Sequence, residues 1–417
     1  MPDTLSRRLP LAAVRTLALH AQRLTTPNGA EPDPAPDFIF ETVAQLGCVQ
    51  IDTLQMVQRS HYLALWSRLG AYDTADFDRL VYKPGERRLF EYWWHAACII
   101  PYTAYSHCAM TMNWFRDRDS GRSAWGNQPD NIPVIEAVRE RIQAEGALRT
   151  SDFENDGPRR GSWWNWKPAK RALEILYNCG ELMVADRVNF QRVYDLAERV
   201  RPDWVDVTPS TPDEVDRFRV EQAARGMAIG TPQHIARSST LKAQTVYPLV
   251  EDLIAKGVLL PVECEVYGGE VADMLLHRDW LPALEQILDG ALQAGRTTFL
   301  SPFDSLWWGK GHDQLLWNFE QRLEAYKPAP DRIWGYFCLP ILYQDRLVGR
   351  FDPKLERKNG TLRLKALYLE PGVAPDEALI DAVAVAMRDF LAWHGATDLV
   401  IERSDPAEFG DRLLAAL

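Results

Sequence analysis

The sequence lacks any apolar run able to cross a bilayer: the stretch at residues 96–101 falls far short of the roughly 20 residues required. Its first 24 residues carry Arg7, Arg8 and Arg15 among the apolar positions, so they have no continuous signal-peptide core. No membrane partner and a cytoplasmic location are therefore expected. Cysteines number only six (Cys48, Cys98, Cys108, Cys179, Cys264 and Cys338) and form no Cys-x-x-Cys pair. That spacing argues against a disulfide framework and a zinc knuckle, and the thiols read as reduced and buried. Eight histidines stand singly, without His-x-x-x-His, which makes His61 and His95 poor metal ligands. Neither a P-loop nor a GxGxxG is present, so no metal and no cofactor are expected.

What is there is an ordinary globular composition, 46% hydrophobic and 25% charged over 417 residues, enough for several domains. The net charge of −11 would by itself count against a phosphate-rich partner, but the charge is uneven. Residues 159–171 hold Arg159, Arg160, Lys167, Lys170 and Arg171 with no acid, beside Trp163, Trp164 and Trp166. Residues 345–365 hold seven basic residues against three acidic ones.

Helix punctuation is clearest after Thr211. Thr211-Pro212-Asp213-Glu214 is a capping box with proline at the first helical position, and it predicts a helix to about Gly226. Thr231-Pro232 starts a short second helix, and a third is predicted over 240–256, kinked at Pro248 and stopped by Gly257. The runs around Leu259 and Met274, split by Gly268-Gly269, read as a hairpin. Three helices and a hairpin make a winged helix, a helix-turn-helix variant. The same order is predicted from Asn131 to Leu196, and the parallel endings at Gly180 and Gly257 suggest an internal repeat.

The first hundred residues give a third, elaborated version, with helices over 11–24, 38–46 and 53–69, a short strand at 48–51 and one strand over 89–100. From Phe299 onward alternating strands, one helix over 375–394 and a last strand suggest a separate β-rich domain. The expected fold is α+β: three tandem winged-helix domains (1–125, 126–205, 206–290) followed by a β-rich C-terminal domain (291–417). Tandem winged helices with a basic, tryptophan-rich segment suggest duplex DNA as partner, although the tryptophans can equally be core and the basic residues a solvated face.

Gln50 and Asp52 stand one residue apart on the predicted strand, which directs both side chains to one face. A carboxylate and a carboxamide so placed could hold a water, Asp52 taking its proton and Gln50 orienting it. The competing reading makes Asp52 the N-cap of the following helix, with Gln55 completing a capping box. Arg59, on that helix, could bind phosphate or be only a solvated charge. Asp304 reads as a turn or buried hydrogen-bonding residue rather than a second catalytic acid.

Gln50-Ile51-Asp52, with Arg59-Ser60-His61 and Ser67-Arg68, resembles the catalytic segment of the YcaQ-like (AlkX) bacterial DNA glycosylases, relatives of the azinomycin-resistance glycosylase AlkZ. The resemblance continues through Phe90-Glu91-Tyr92-Trp93, Lys170-Arg171, the stretch 189–196, Ser301-Pro302-Phe303-Asp304, Val348-Gly349-Arg350 and Asp352-Pro353-Lys354. It implies three winged helices in a C-shaped arrangement, excision of N7-alkylated guanine and unhooking of interstrand crosslinks. It also implies a Gln-aliphatic-Asp motif as the catalytic centre, with Asp52 marking the YcaQ-like rather than the AlkZ branch.

The chemistry suits those residues. N7 alkylation places a positive charge on guanine, so the base leaves without a strong acid, and a carboxylate can stabilise the oxocarbenium-like sugar while activating water. No lysine lies between Cys48 and Leu69, which argues for a monofunctional enzyme without Schiff-base chemistry. Lys354, Arg357 and Lys358 of the predicted C-terminal hairpin are candidates for gripping the duplex, unless they are only an exposed charged turn closed by Asn359-Gly360. The partner expected is double-stranded DNA with alkylated or crosslinked guanine, met by a monomer within the bacterial nucleoid. The alternative is a winged-helix transcription regulator without catalysis.

Overall fold

A computed structural model describes residues 8–30, 32, 34–117, 125–153 and 168–417. The chain is mixed α+β and divides into two compact units, Ala75–Val215 and Met1–Thr74 with Asp216–Leu417. No helix among the described residues is long and apolar enough to cross a membrane. All six cysteines are buried as free thiols.

Within Ala75–Val215, the helix Ile132–Glu145, a 3-10 turn Thr150–Phe153 and the helix Pro168–Asn178 precede a hairpin of Leu182–Val188 and Gln191–Leu196. The two-residue strand Leu148–Arg149 pairs with Gln191–Leu196, giving a three-stranded sheet. The larger unit contains the same order. Helix Pro212–Met227 leads to Ile229–Gly230, then helices Pro232–Ser239 and Ala243–Ala255, then the hairpin Leu259–Glu265 with Val271–His277. There the short strand again pairs with the second hairpin strand, so the two sheets have one topology.

The caps are as the sequence dictates. Thr211 N–H donates to the Glu214 carboxylate at 2.7 Å while Glu214 N–H donates to Thr211 Oγ1 at 3.3 Å. Thr231 Oγ1 accepts from His234 N–H at 3.3 Å, ahead of Pro232 at the first helical position. Gly268 and Gly269 turn the hairpin with φ of 89° and 81°, a region that only glycine enters without strain.

One prediction is corrected in this part of the chain. The stretch at 89–100 is not a single strand but the hairpin Leu89–Trp93 and Ala97–Pro101, closed where Trp94 N–H donates to Ala96 C=O at 2.8 Å. A mostly apolar stretch, interrupted by Glu91 and His95 alone, hides the turn, because both strands are buried on both faces. Glu91, on the first of these strands, is 2% exposed. Its carboxylate accepts from Tyr82 Oη at 2.7 Å and, bidentately, from Arg187 Nε at 2.6 Å and Nη2 at 2.7 Å, with Arg192 Nε at 3.4 Å. Burial alone would raise its pKa, but the hydrogen bonds and charge of Arg187, with Arg192, bring it below the ordinary value.

Glu91→Gln leaves Arg187 without its bidentate anion, and a loss of roughly 3–5 kcal/mol in urea unfolding is expected. The sign with pH follows from the lowered pKa. The contribution is whole above the unfolded carboxylate pKa and is lost as pH falls through the folded one, so variant and wild type should converge in acid. A variant with wild-type stability at neutral pH would mean that Tyr82, not the ion pair, holds this hairpin.

In the larger unit, helix Leu11–Ala21 lies in the main apolar core with the hairpin strands 259–277 and the segment 299–319. It stops three residues short of the predicted Leu24 because Arg23 turns left-handed, with φ of 54°. The C-terminal sheet has six strands. Thr297–Phe299, Leu339–Tyr343, Arg346–Glu356 and Thr361–Leu369 are successive antiparallel neighbours, and Asp398–Ile401 and Ser404–Asp405 run parallel to Thr361–Leu369. Helix Glu377–Trp393, capped by Asp376 on Leu379 N–H at 2.9 Å, buries Phe390 against Trp66, Phe299 and Phe351. Gly349 fits only as glycine, since a Cβ there would stand 2.2 Å from Tyr368 C=O on the neighbouring strand.

Candidate active site

The Gln-Ile-Asp segment follows helix Pro36–Leu46, which ends at Gly47 with φ of 83°. The strand is only Val49–Gln50, so Asp52 lies beyond it, and the next helix is Ser60–Leu69. The predicted helix over 53–69 is thereby shortened by seven residues at its start, and Asp52 is not its N-cap. The reason is local. Asp52 Oδ1 accepts from Leu54 N–H at 2.7 Å, two residues on, a side-chain turn that competes with helix nucleation. Arg59, the residue preceding the helix, is extended, with φ −67° and ψ 149°.

The loop 51–59 is pinned at both ends and in its middle. Ser60 Oγ donates to Gln50 C=O at 2.7 Å, and the Arg59 guanidinium donates to Thr53 C=O. From the C-terminal sheet, Leu355 N–H donates to Met56 C=O at 2.9 Å and the Arg357 guanidinium donates to Val57 C=O. Two regions some 300 residues apart in sequence are thus one structure.

Asp52 is half-buried, and burial raises its carboxyl pKa above the ordinary 3.8 despite the opposing effects of the Leu54 N–H, the Arg59 charge and the Thr53 N–H. A carboxylate kept partly dry is suited to general-base work or to stabilising a developing cation. Tyr326 lies within reach of this charge. Partial desolvation and then the Asp52 carboxylate raise its phenol pKa. Nothing in the sequence around Glu324-Ala325-Tyr326-Lys327 signals this neighbour.

Of the other candidates, Lys354 and Arg357 are exposed near the end of strand Arg346–Glu356, with Lys358 in the turn after it, where Asn359 N–H donates to Glu356 C=O at 2.9 Å. Arg357 also braces the loop after Asp52, a task its charge did not foretell. Lys170 and Arg171 lie on helix Pro168–Asn178 of the smaller unit, Arg171 with its guanidinium 5.7 Å from the Trp125 ring. Lys167, with Arg159, Arg160, Trp163, Trp164 and Trp166, falls outside the described residues.

His61 is buried at the start of its helix, and His95 sits in the hairpin turn. Among the described residues no three His, Cys, Asp or Glu side chains converge in a way that could hold a metal ion. Asp304 is buried against Arg68, as a structural rather than catalytic carboxylate should be.

A family model described as DNA glycosylase AlkZ-like matches residues 43–393, a span holding Gln50, Asp52 and every basic candidate named above. The chain belongs to the AlkZ-like DNA glycosylase family. Among solved structures, the Streptomyces sahachiroi DNA glycosylase AlkZ superposes with a TM-score of 0.60 at 15% identity, over 95% of this chain and 100% of that one. At that identity the likeness is one of fold. This AlkZ-like protein is a DNA N-glycosylase acting in DNA repair, which decides against the transcription regulator.

Proposed function

We propose that this AlkZ-like enzyme is a monofunctional glycosylase that releases N7-alkylated guanine from duplex DNA and unhooks interstrand crosslinks made through that atom. The observation that carries the reading is the half-buried Asp52 with its raised pKa, set in a loop braced by the C-terminal sheet. As the C1′–N9 bond breaks, its electron pair passes to the cationic purine and neutralises it. The Asp52 carboxylate stabilises the positive charge left on the sugar and accepts a proton from the water that bonds to C1′. Gln50 orients that water. The absence of lysine from the loop supports hydrolysis without a covalent intermediate.

Duplex binding is assigned to Arg59, Lys167, Lys170, Arg171, Lys354, Arg357 and Lys358. The recurring helix, short strand, two helices and hairpin are read as winged helices, in three domains over 1–125, 126–205 and 206–290 with a β-rich domain over 291–417. Three unlike modules in one chain suit a monomer on an asymmetric site. A crosslinked guanine is tethered to the opposite strand, so the reading favours attack on the lesion from the groove rather than full rotation out of the stack.

The test is cleavage of a labelled duplex carrying one N7-methylguanine or one nitrogen-mustard crosslink, with EDTA present and mild alkali to break abasic sites. Alkali-labile product from both is expected, and tight duplex binding without product on either would overturn the reading. The pH profile gives a second check. Asp52 works ionised, so with its pKa raised the enzymatic rate, after subtraction of spontaneous depurination, should fall in an acid limb centred above 3.8. The Arg59 charge lowers that pKa, so Arg59→Gln should move the limb to higher pH. A limb that does not respond to Arg59 belongs to another group.

A further inference from the structure

The strand Leu339–Tyr343 pairs with Arg346–Glu356 only as far as Leu339 opposite Phe351. Two loops meet the long strand where that neighbour ends. Asp352 accepts from Tyr336 N–H at 2.8 Å and Phe337 N–H at 3.0 Å, and Leu355 N–H donates to Met56 C=O at 2.9 Å. The loop that follows Asp52 and the segment 321–337 are therefore fastened within four residues of one another on a single strand.

The second segment is irregular but tightly held. Glu324, buried, accepts from Ile333 N–H at 2.9 Å, Trp334 N–H at 2.8 Å and Lys327 Nζ at 3.0 Å. Arg332 Nε donates to Lys327 C=O at 3.0 Å. Tyr326, between the anchored Glu324 and Lys327, nevertheless leaves its side chain in solvent, 75% exposed, with Ile333 57% exposed on the same segment. A large ring kept out of the core on a fixed backbone, on a segment fastened to the same strand as the loop of Asp52, is placed to meet a ligand.

We propose that Tyr326 is a specificity-determining residue that inserts its ring from the groove at the lesion's base step and stacks on the cationic alkylpurine there, while Asp52 acts at the sugar. The inference rests on the reading of Asp52 and of a cationic base given above. Any base can stack on a tyrosine, but only an N7-alkylated one brings a full positive charge to the negative face of the ring. Asp52 senses charge that develops on the sugar as the bond breaks. Tyr326 senses charge already on the base, and so separates damaged from undamaged guanine before any bond is broken.

The test compares the full-length wild type with Tyr326→Phe and Tyr326→Leu on two duplexes. One carries N7-methylguanine on a 2′-fluoro sugar, whose electron-withdrawing fluorine blocks departure of the base, and the other carries unmodified guanine on the same sugar. The readout is the ratio of their dissociation constants. Wild type and Tyr326→Phe should favour the cationic base by about 3- to 30-fold, the range of a cation–π contact, and Tyr326→Leu should lose most of that preference. Matching thermal unfolding midpoints establish that the variants are folded.

A ratio unchanged in Tyr326→Leu, or no preference in the wild type, overturns the proposal. Because nothing is cleaved, the ratio does not depend on Asp52 being the base. Loss of that assignment would show instead as full activity of Asp52→Asn on an ordinary sugar.

Discussion

Asp52→Asn is expected to lower the single-turnover rate on an N7-methylguanine duplex by roughly 10²- to 10⁴-fold, the range for a positioned base, while affinity for undamaged duplex is kept. The substitution separates the turn that Asp52 makes in the structure from the charge proposed to act at the sugar. Its Oδ1 accepts from Leu54 N–H at 2.7 Å, and the carbonyl oxygen of asparagine can accept the same bond, so the turn of the loop survives. What disappears is the negative charge and the capacity to take a proton. The rate loss therefore reports charge at the reacting sugar and not collapse of the loop, which Asp52→Ala would confound. Gln50→Ala should cost less, since it removes an orienting group and leaves the charge. A wild-type rate for Asp52→Asn would move the base elsewhere and leave Asp52 as a turn residue.

How much of this could be read from the sequence depended on the range of the interactions involved. Thr211, Thr231 and Gly268-Gly269 act on backbone within a few residues, so the caps and turns they imply are in the structure at those positions. Asp52 and Gln55 have the same local grammar, a capping box, and there it misled. The Asp52 side chain bonds Leu54, and the start of the helix is fixed instead by Ser60 reaching back to Gln50 C=O. Similar physics defeated the single strand at 89–100, where burial on both faces erased the alternation that would have exposed its turn.

The proposed site was legible in the sequence as far as Gln50 and Asp52 and no further. Leu355, Arg357 and Tyr326 come to the loop through the sheet, across some 300 residues, and no spacing rule carries that information. Stretches that carry the family resemblance turn out to be joined in pairs by buried charge. Glu91 with Arg187 and Arg192 links the stretches around 91 and 192. Arg68 with Asp304 links the catalytic segment to the Ser-Pro-Phe-Asp turn. Arg68 and Asp304 serve the scaffold of the unit that carries the loop, and Glu91, Arg187 and Arg192 that of the smaller unit.

The Arg68–Asp304 pair supports the other large effect. Both side chains are 0% exposed, and the guanidinium donates to the carboxylate bidentately, with Nη1 and Nη2 each at 2.7 Å. The remaining donors are also used: Nε on Gln22 C=O at 2.8 Å, Nη1 on Ala64 C=O at 2.7 Å and on Ser67 Oγ at 2.9 Å, and Nη2 on Gln22 Oε1 at 3.1 Å. Gln22 in turn donates to Gly226 C=O at 2.6 Å and accepts from Ser305 Oγ at 2.6 Å. One buried network thus joins the end of the first helix, the helix after the loop 51–59, the end of helix Pro212–Met227 and the turn at 301–305.

Asp304→Ala strands a guanidinium away from water, and a loss of about 3–5 kcal/mol in denaturant unfolding is expected. Replacing both partners, Arg68→Met with Asp304→Leu, removes the uncompensated charge and should recover most of that loss, because the penalty lies in the orphaned ion more than in the missing bond. Hydrogen exchange should show the damage in helix Ser60–Leu69, whose last turn Arg68 anchors. Since Ser60 at the other end of that helix holds Gln50, Asp304→Ala should also slow catalysis, but without moving the acid limb proposed for Asp52. A double variant no more stable than Asp304→Ala would mean that the network matters for the carbonyls it satisfies rather than for its charge.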